Sequence, residues 1–314
     1  MERNKVTIEK QWDVITAGDI FVDVVLGGFT TWPQPGEEVF AERLHREAGG
    51  GAAITGCGLA RLGAKVAIFA AIGNDGEWLV DRLSDCHVDP VLIHQFDAEA
   101  TGLTVSVSTA EDRAFFTFGG ANKRLAKLLD DAQVWKELAR ARLVHLACPI
   151  EPDLLGRLTS YLHATGRLVS IDAGWQTEWL KNPSTLEALR EIDIFFPNER
   201  EARLMTNAIE PNEIMRAFRR AGLRRVAMKL GSRGSMLLID DEIILQAPHR
   251  PDWLDPIETT GAGDAFNAGF IYGCLQGHTA RRCLEIGNLC GALSTRGPGG
   301  IGSFPTPDEL GELL

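Results

Sequence analysis

The chain has 314 residues, of which 45% are hydrophobic and 24% are charged, a composition typical of a soluble globular protein. Its formal net charge of -11 opposes non-specific binding to nucleic acid and to anionic membranes, because both need Lys and Arg as counter-charge. We therefore expect neither as a partner. The N-terminus is polar and no stretch approaches the roughly 18 apolar residues of a membrane span, which favours a cytoplasmic protein.

The cysteines are scattered through apolar segments, without Cys-x-x-Cys spacing and without clustered histidines. This pattern favours buried free thiols over a disulfide framework or a zinc site. The six residues are Cys57, Cys86, Cys148, Cys274, Cys283 and Cys290.

Short apolar runs alternate with helix-like stretches along most of the chain. A strand opens the segment 12–25, and the later apolar runs are residues 66–72, 143–146, 168–171, 192–196 and 225–229. This alternation predicts a parallel sheet covered by helices.

Two stretches depart from that alternation. Residues 39–47 and 102–118 alternate polar and apolar side chains with β-branched and aromatic content, as strands with one exposed face do. They predict a small β-sheet that projects from the main domain and is contributed by residues of about 24–48 and 100–120. Such a sheet above a substrate cleft is a candidate lid.

A run near the C-terminus predicts an anion-binding site. Gly261, Ala262 and Gly263 precede Asp264 and lead directly into an apolar helix, so the N–H groups of its first turn are unobstructed. The helix dipole adds partial positive charge where a transferring phosphoryl group gathers negative charge. A carboxylate there would repel bound phosphate, but it suits a base that deprotonates an attacking hydroxyl. The run favours phosphoryl transfer to an alcohol; the alternative is a glycine-rich turn before a buried helix.

The motifs and their order resemble those of the ribokinase-like, or PfkB, family of carbohydrate kinases. Residues 256–270 resemble its second signature and residues 49–63 its first, within a resemblance that extends from Gly18 to about Pro305. The resemblance implies a single kinase domain over residues 1–314. Its implied fold class is α/β: three α/β/α layers with a mostly parallel central sheet and a small projecting β-sheet lid.

The resemblance also assigns the catalytic roles. Asp264 would be the catalytic base, with its ionised form favoured by the helix N-terminus, and the amides of Gly261, Ala262, Gly263 and Asp264 would form the anion hole. The P-loop motif Gly-x-x-x-x-Gly-Lys-Ser/Thr does not occur in the sequence, which argues against a P-loop kinase.

On the acceptor side, Asp23 matches the aspartate that receives hydrogen bonds from two substrate hydroxyls, and Gly50 and Gly51 match the glycines of the first signature. Ile54 stands where the family pattern has an asparagine, and Ala147 stands where ribokinase has a glutamate. Because both replacements remove a polar contact, the acceptor is expected to differ from ribose or fructose.

On the nucleotide side, Asn198 and Glu201 match the Asn-x-x-Glu motif, which governs magnesium and phosphate through ordered water; the same residues predict a helix capping box. Arg233 is either a phosphate contact or a solvated side chain. Asn288 is expected near the rim of its helix. The residues implied for ATP are Asn198, Lys229, Gly231, Ser232, Gly234 and Asn288.

The resemblance further implies a monovalent cation, usually potassium, held near residues 297–302. Glu258 stands where the family pattern has an aspartate, one methylene shorter, so potassium activation is left open. Residues 297–302 also match a dinucleotide fingerprint, but they follow a helix at the chain end, which argues against that function.

Taken together, the sequence predicts an ATP- and magnesium-dependent kinase that phosphorylates a hydroxymethyl group of a small sugar or sugar acid. A nucleoside kinase of the same fold is the nearest alternative, and a sugar-sensing protein with weak catalysis is another. The lids of this family often pair, so we expect a homodimer through the lid.

Overall fold

The computed structural model describes residues 9–29, 31–108, 113–297 and 299–313. Within these ranges the chain forms thirteen strands and twelve α-helices. The strands are β1 (Trp12–Gly18), β2 (Phe21–Gly27), β3 (Arg43–Gly49), β4 (Val66–Gly73), β5 (Val88–Phe96), β6 (Leu103–Ser108), β7 (Arg113–Phe118), β8 (Ala141–Ala147), β9 (Leu168–Ile171), β10 (Ile194–Phe195), β11 (Arg225–Lys229), β12 (Ser235–Ile239) and β13 (Glu242–Gln246).

The helices are short on average, and the longest two, α10 and α11, follow one another near the C-terminus. They are α1 (Gly51–Arg61), α2 (Glu77–Asp85), α3 (Leu125–Leu129), α4 (Ala132–Leu138), α5 (Pro152–Ala164), α6 (Thr177–Lys181), α7 (Pro183–Ala188), α8 (Glu199–Thr206), α9 (Pro211–Arg220), α10 (Ala262–Leu275), α11 (Ala280–Ser294) and α12 (Pro307–Leu313). Within the described ranges, no helix is both long and apolar enough to cross a membrane.

The larger sheet has the strand order β13-β12-β11-β10-β9-β8-β1-β4-β5. From β11 to β5 every neighbouring pair is parallel, and only β12 and β13 join in antiparallel fashion at one edge. The mostly parallel sheet predicted from the alternation of apolar runs is therefore confirmed.

Helices cover both faces of this sheet, which explains why its central strands are apolar throughout. All eight residues of β4 are buried, and successive ones belong alternately to two separate apolar cores. One core contains α1 and α10, and the other contains α5 and α9. Because strand side chains alternate between faces, the chain builds a three-layer α/β/α arrangement.

The smaller sheet has the order β3-β2-β6-β7, in which β2 and β6 are parallel and the other pairs are antiparallel. Its strands come from two separate parts of the chain, as predicted. The segment 12–25 opens with strand β1, as predicted, and its second half belongs to β2 of the smaller sheet, because the chain leaves the main sheet after Gly18. Strand β3 also begins four residues later than the alternation at 39–47 indicated.

Candidate active site

Polar side chains line the carboxyl edge of the larger sheet. Strands β1, β8, β9, β10 and β11 are neighbours in that sheet and run parallel. At or shortly after their last residues the chain places Asp19, Cys148, Asp172, Asn198 and Lys229. Because parallel strands end at one edge of the sheet, these five residues are brought to one side of the molecule, where open α/β sheets form ligand sites.

A buried polar cluster holds Lys229. Its Nζ lies 2.5 Å from Asp172 Oδ2 and 3.4 Å from Asn267 Oδ1, and Asn267 Nδ2 donates to the same Asp172 oxygen at 2.7 Å. Burial opposes the charged form of both ionic partners, but the attraction between them is stronger. The pKa of Asp172 is therefore lowered and the pKa of Lys229 is raised.

The N-terminus of α10 lies beside this cluster. Its N-cap, Gly261, adopts a left-handed conformation with φ of 75°, and a Cβ added to Gly263 would lie 3.4 Å from Lys229 Nζ. The Ala262 N–H donates to the carbonyl oxygen of Thr259 at 3.2 Å, so this amide belongs to a local turn. In the described chain the N–H groups of Gly261, Gly263 and Asp264 have no protein acceptor, and the anion hole over residues 261–264 stays a prediction.

Asp264 lies in the first turn of α10, whose N-terminus favours the ionised form of a carboxylate. Its surroundings oppose that effect and exceed it. Burial raises the pKa of Asp264 to about 7, and the negative charges of Asp172 and Glu201 act in the same direction, against Lys229. A helix dipole contributes only ~0.3–1 kcal/mol in exposed positions, which is less than the cost of burying a carboxylate. Near neutral pH the group can therefore take up or release a proton.

Carboxylates crowd the glycine turn that precedes α1. A Cβ added to Gly49 would lie 2.0 Å from Asp23 Oδ2, and one added to Gly51 would lie 3.2 Å from Asp264 Oδ1 and 3.3 Å from Ala147 Cβ. Side chains larger than hydrogen do not fit here, which explains the glycines. A molecule bound over this turn would meet Asp23 on one side and Asp264 on the other.

The N-cap of α1 is Gly50, with φ of 89°, and a Cβ there would lie 2.3 Å from the carbonyl oxygen of Asp19. Ile54 is buried in the first turn of α1, and its side chain reaches the loops that contain Gly261 and Gly300. A Cβ on Gly261 would lie 3.0 Å from Ile54 Cδ1, and one on Gly300 only 2.6 Å. Ile54 thus packs against those loops; its contact with an acceptor stays a prediction.

Asp23 lies on β2, directly opposite Glu47 on β3 and Thr104 on β6. Burial raises the pKa of Asp23 to about 7, and the negative charges of Glu258 and Glu47 add to this, whereas a hydrogen bond with Thr104 opposes it. Glu47 has a cationic partner, because Arg82 of α2 binds its two oxygens at 2.6 and 2.7 Å. This pair fastens the smaller sheet to the main body.

Asn198 and Glu201 form the predicted capping box at the start of α8. Asn198 Oδ1 accepts from the Glu201 N–H at 2.9 Å, and Glu201 Oε2 accepts from the Asn198 N–H at 2.8 Å. A third bond joins Asn198 Nδ2 to Glu201 Oε1 at 2.7 Å. Burial and the charge of Asp172 raise the pKa of Glu201 to about 7, against Lys229 and the bonds from Asn198.

The glycine loop after β11 is a short 3-10 turn, Gly231–Arg233, followed by Gly234. Both Gly231 and Gly234 have positive φ, 60° and 91°, which side chains rarely adopt. Ser232 is exposed, and Arg233 forms an ion pair with Glu199. The turn joins two antiparallel strands, so the geometry agrees with both a plain turn and a phosphate loop.

Asn288 lies on α11. Its expected position near the rim was wrong. Asn288 is buried, and its Nδ2 donates to the carbonyl oxygen of Ala247 at 3.1 Å, because the segment after β13 covers that side of the helix.

Glu258 joins two loops. Its Oε1 accepts from the Thr260 N–H at 2.8 Å and its Oε2 accepts from the Gly299 N–H at 3.0 Å. The first loop leads into the N-terminus of α10, and the second belongs to residues 297–302, of which residue 298 lies outside the described ranges. As predicted, that run follows a helix.

Three residues of the site were missed in the sequence. Asp172 directly follows a predicted strand, the signal that singled out Asn198, and Asn267 lies three residues after Asp264 on the same helix. Asp19 stands within the segment that contains Asp23. Asp19 and Asn267 lie within segments whose other residues match the family motifs, whereas Asp172 lies in no recognised motif.

The three-layer fold and the polar residues at the carboxyl edge of the larger sheet define an α/β kinase with an alcohol acceptor. Residues 13–307 match the sequence pattern of the family described as "pfkB family carbohydrate kinase", and the chain belongs to that family. It is therefore a phosphotransferase of the carbohydrate-kinase type, as the motifs predicted.

Curated relatives extend over most of the chain. A ribokinase of Haemophilus influenzae is 26% identical over 294 residues, 90% of this chain and 92% of its own length. A 2-dehydro-3-deoxygluconokinase of Bacillus subtilis is also 26% identical and covers 82% of this chain and 83% of its own. Among solved structures, Arabidopsis thaliana ribokinase complexed with ribose and ATP superposes with a TM-score of 0.83 at 24% identity, covering 96% of this chain and 98% of that one. This likeness confirms the ribokinase-like fold.

Proposed function

We propose that the protein transfers the γ-phosphoryl group of ATP to a hydroxymethyl group of a small sugar or sugar acid. The whole chain acts as one kinase unit, with the smaller sheet as a lid over the acceptor. Asp264 is the general base, and the outward N–H groups at the start of α10 receive the transferred group.

One observation carries this proposal. The Asp264 carboxylate lies against the glycine turn at Gly51, while its own backbone N–H points outward with those of Gly261 and Gly263. A hydroxyl bound over the turn would meet the base and the anion-binding amides at the same place. This juxtaposition suits deprotonation and phosphoryl transfer in one step.

A positive charge lies where the transferred phosphoryl group would bind. Lys229 Nζ lies beside Gly263, and Asp172 and Asn267 fix its position, so its charge is directed at the same amides. A phosphoryl group there would be stabilised by both the lysine and the helix N-terminus.

Glu201 fits a role toward Mg²⁺ through ordered water. Its carboxylate oxygens are of the ligand type that Mg²⁺ prefers, and each of them accepts one bond from Asn198 and keeps a second lone pair for water. Bound with ATP, the ion would neutralise phosphate charge and orient the γ-phosphoryl group. Glu201 would act on it through its water shell.

In this mechanism Asp23 accepts hydrogen bonds from acceptor hydroxyls and orients the reactive one toward Asp264. The proton of that hydroxyl passes to the Asp264 carboxylate as the oxygen bonds to phosphorus. The N–H groups of Gly261, Gly263 and Asp264 hold the equatorial oxygens, and ADP leaves.

Asp264→Asn tests the base directly. We expect ADP release with any acceptor to fall by about 10²–10⁴-fold while ATP binding, followed by calorimetry, is retained. Asp81→Asn, the same change at an exposed position of α2, is the matched control and should leave turnover unchanged. Retained turnover in Asp264→Asn would remove Asp264 from the base role.

Two alternative functions remain to be tested. Ile54 and Ala147 are apolar where the family pattern has polar residues, which favours an acceptor with an apolar part such as a nucleobase, and hence a nucleoside acceptor. A sugar sensor would close on its ligand without forming ADP, so acceptor-induced tryptophan quenching in the absence of turnover would support it. A panel of sugars, sugar acids and nucleosides separates the three.

We also propose that the lids pair in a homodimer. The strand register puts Val24, Arg46, Val105 and Phe116 on the face of the smaller sheet opposite Asp23. Phe116 is 58% exposed, and the nearby apolar Leu44 is 71% exposed. Apolar side chains that are exposed together on one face often mark an interaction surface. Phe116→Glu should convert the dimer to monomer in sedimentation analysis; an unchanged mass would exclude this face.

A further inference from the structure

Two free cysteines lie in contact where α10 gives way to α11. Cys274 is the last residue but one of α10, and Cys283 is the fourth residue of α11. Their sulfur atoms are 3.8 Å apart, and the Cys274 thiol donates to the Cys283 sulfur. Neither residue takes part in the proposed kinase mechanism, so their contact is open to a separate role.

A short connection and a glycine hold the two helix ends together. Only residues 276–279 separate α10 from α11, and the His278 N–H donates to the Gly273 carbonyl oxygen at 3.0 Å, which fixes this turn. A Cβ added to Gly273 would lie 3.0 Å from Cys283 Sγ. The Cys283 sulfur therefore lies against the backbone of the residue before Cys274, and the two thiols are kept side by side.

The separation of the two sulfur atoms is close to what a disulfide needs. The bond itself is about 2.05 Å long, so the sulfurs would approach each other by roughly 1.8 Å. Rotation of a cysteine side chain about its Cα–Cβ bond can supply a movement of that size. Oxidation of this pair therefore needs a local change of side-chain conformation.

The two thiols differ in a way that suits stepwise oxidation. Cys274 is partly exposed and precedes the exposed residues 276–279, whereas Cys283 is only 2% exposed, so a small oxidant is needed to reach it. The hydrogen bond from Cys274 lowers the pKa of Cys283, against the opposing effect of burial. The start of a helix also favours a thiolate. Cys283 is therefore the better nucleophile, and Cys274 is the partner thiol nearer the surface.

We propose that Cys274 and Cys283 are a peroxide-responsive thiol pair that closes to a reversible disulfide. The Cys283 thiolate attacks hydrogen peroxide, keeps one oxygen as a sulfenic acid and releases hydroxide, which takes up the proton that Cys283 had lost. The Cys274 thiol then attacks the Cys283 sulfur, the S–S bond forms, and the sulfenic oxygen leaves as water with the Cys274 proton. Two thiols and one peroxide thus give one disulfide and two water molecules.

The bridge would join two helices that carry other residues of the proposed site. Asp264 lies at the opposite end of α10, and Asn288 lies further along α11. Oxidation would therefore fasten the helix of the proposed base to the helix next to the proposed nucleotide side. The thiol pair itself does not depend on the proposed kinase function, because its own contacts define it.

Peptide mapping after peroxide treatment tests the pair. The reduced protein is treated with hydrogen peroxide, its remaining thiols are alkylated with iodoacetamide, and it is digested with trypsin in the absence of reductant. Trypsin cleaves after Arg281 and Arg282, so it separates Cys274 from Cys283 unless they are bridged. We expect a joined peptide about 2 Da lighter than its two unalkylated halves together, and its loss on addition of dithiothreitol.

Three variants separate the roles of the two thiols. Cys274→Ser removes the partner thiol, so the joined peptide should fall at least about tenfold and the Cys283 sulfenic acid should persist and react with dimedone. Cys283→Ser removes the attacked thiol, so both the joined peptide and a dimedone adduct at Cys274 should be absent. Cys290→Ser is the matched control, because Cys290 is buried and lies on the same tryptic peptide as Cys283; it should leave the bridge unchanged.

A joined peptide in the native protein and in Cys290→Ser, with dimedone bound at Cys283 in Cys274→Ser, supports the pair. It is overturned if peroxide joins no peptides in the native protein, if the bridge uses Cys290 or another cysteine instead, or if Cys274→Ser forms the joined peptide to the same extent. Absence of the dimedone adduct from Cys274→Ser also overturns it. Since Cys274 is partly exposed, this variant keeps the test decisive even where Cys283→Ser does not fold.

Discussion

Lys229 Nζ and Asp172 Oδ2 form a buried ion pair at 2.5 Å between the ends of two strands that are separated in the sheet by β10. Asn267 of α10 bonds to both partners, so the pair connects the sheet edge to the helix that carries Asp264. The side chains are only 12% and 11% exposed. Their geometry places a fixed positive charge beside the proposed anion hole.

Removing Asp172 should therefore affect both stability and nucleotide binding. Asp172→Asn leaves the Lys229 ammonium buried without its counter-charge, which we expect to lower the free energy of unfolding by about 3–5 kcal/mol. The KM for ATP should rise because Lys229 is no longer held toward Gly263. Urea unfolding and initial-rate kinetics measure the two effects.

The double variant Asp172→Asn/Lys229→Met is the control. It removes both charges, so it should recover part of the stability of the single variant without recovering the affinity for ATP. Equal stability of the single and double variants would show that the pair is not coupled as the structure indicates.

Activity should depend on pH through Asp264. With the pKa of Asp264 near 7, a base that must be ionised loses activity as pH falls, so kcat/KM should decline below about pH 7. The pKa of Asp23 is raised to about 7 as well, so the profile reports both groups. In Asp23→Asn, kcat/KM should still decline at acid pH because of Asp264. A kcat/KM that stays constant between pH 5 and 8 would contradict the role of Asp264 as the base.

Stability should change with pH in the opposite direction. The folded-state pKa of Asp264 lies above its ordinary value of 3.8, so the folded protein binds more protons between these values. Its contribution to stability is therefore greatest below about pH 4 and is lost as pH rises through about 7. Asp264→Asn should accordingly raise the free energy of unfolding at pH 8, by up to about 4 kcal/mol. Urea midpoints of both proteins at pH 5 and pH 8 test this.

We expect the protein to be active without potassium, because of the position of Glu258. Its carboxylate already joins the two loops through the N–H groups of Thr260 and Gly299, so we expect equal rates, within about twofold, in potassium, sodium and choline chloride at one ionic strength. Glu258→Ala should reduce kcat by about 100-fold, because the turn into the anion hole is no longer fixed. A rate that requires potassium in the native protein would contradict this arrangement.

The Glu47–Arg82 pair should keep the smaller sheet in place. Arg82→Met leaves Glu47 buried beside Asp23 without its cation, which we expect to cost about 2 kcal/mol and to weaken acceptor binding. Glu47→Gln/Arg82→Met removes both charges and should restore most of the stability. Unfolding curves and the KM for the acceptor separate the two consequences.

Much of the architecture could be predicted from the chain. The apolar runs at 66–72, 143–146 and 168–171 form the expected parallel strands, because strands buried on both faces need continuous apolar sequence. The strands β5 and β13 were not anticipated: they are the edge strands of the larger sheet, where part of each strand is exposed and the apolar signal weakens. Strand β12 was not anticipated either, although it is apolar and buried.

By itself, the sequence determined the family, the order of the elements and the residues of the two signatures, because glycine turns and helix starts are local features. Only the tertiary structure decided which charges meet. Asp172 and Lys229 are 57 residues apart and Asn267 is 95 from Asp172, and their pairing depends on how strands and α10 converge. The same holds for Asp264, whose pKa is set by burial and by carboxylates distant in sequence, which no local pattern records.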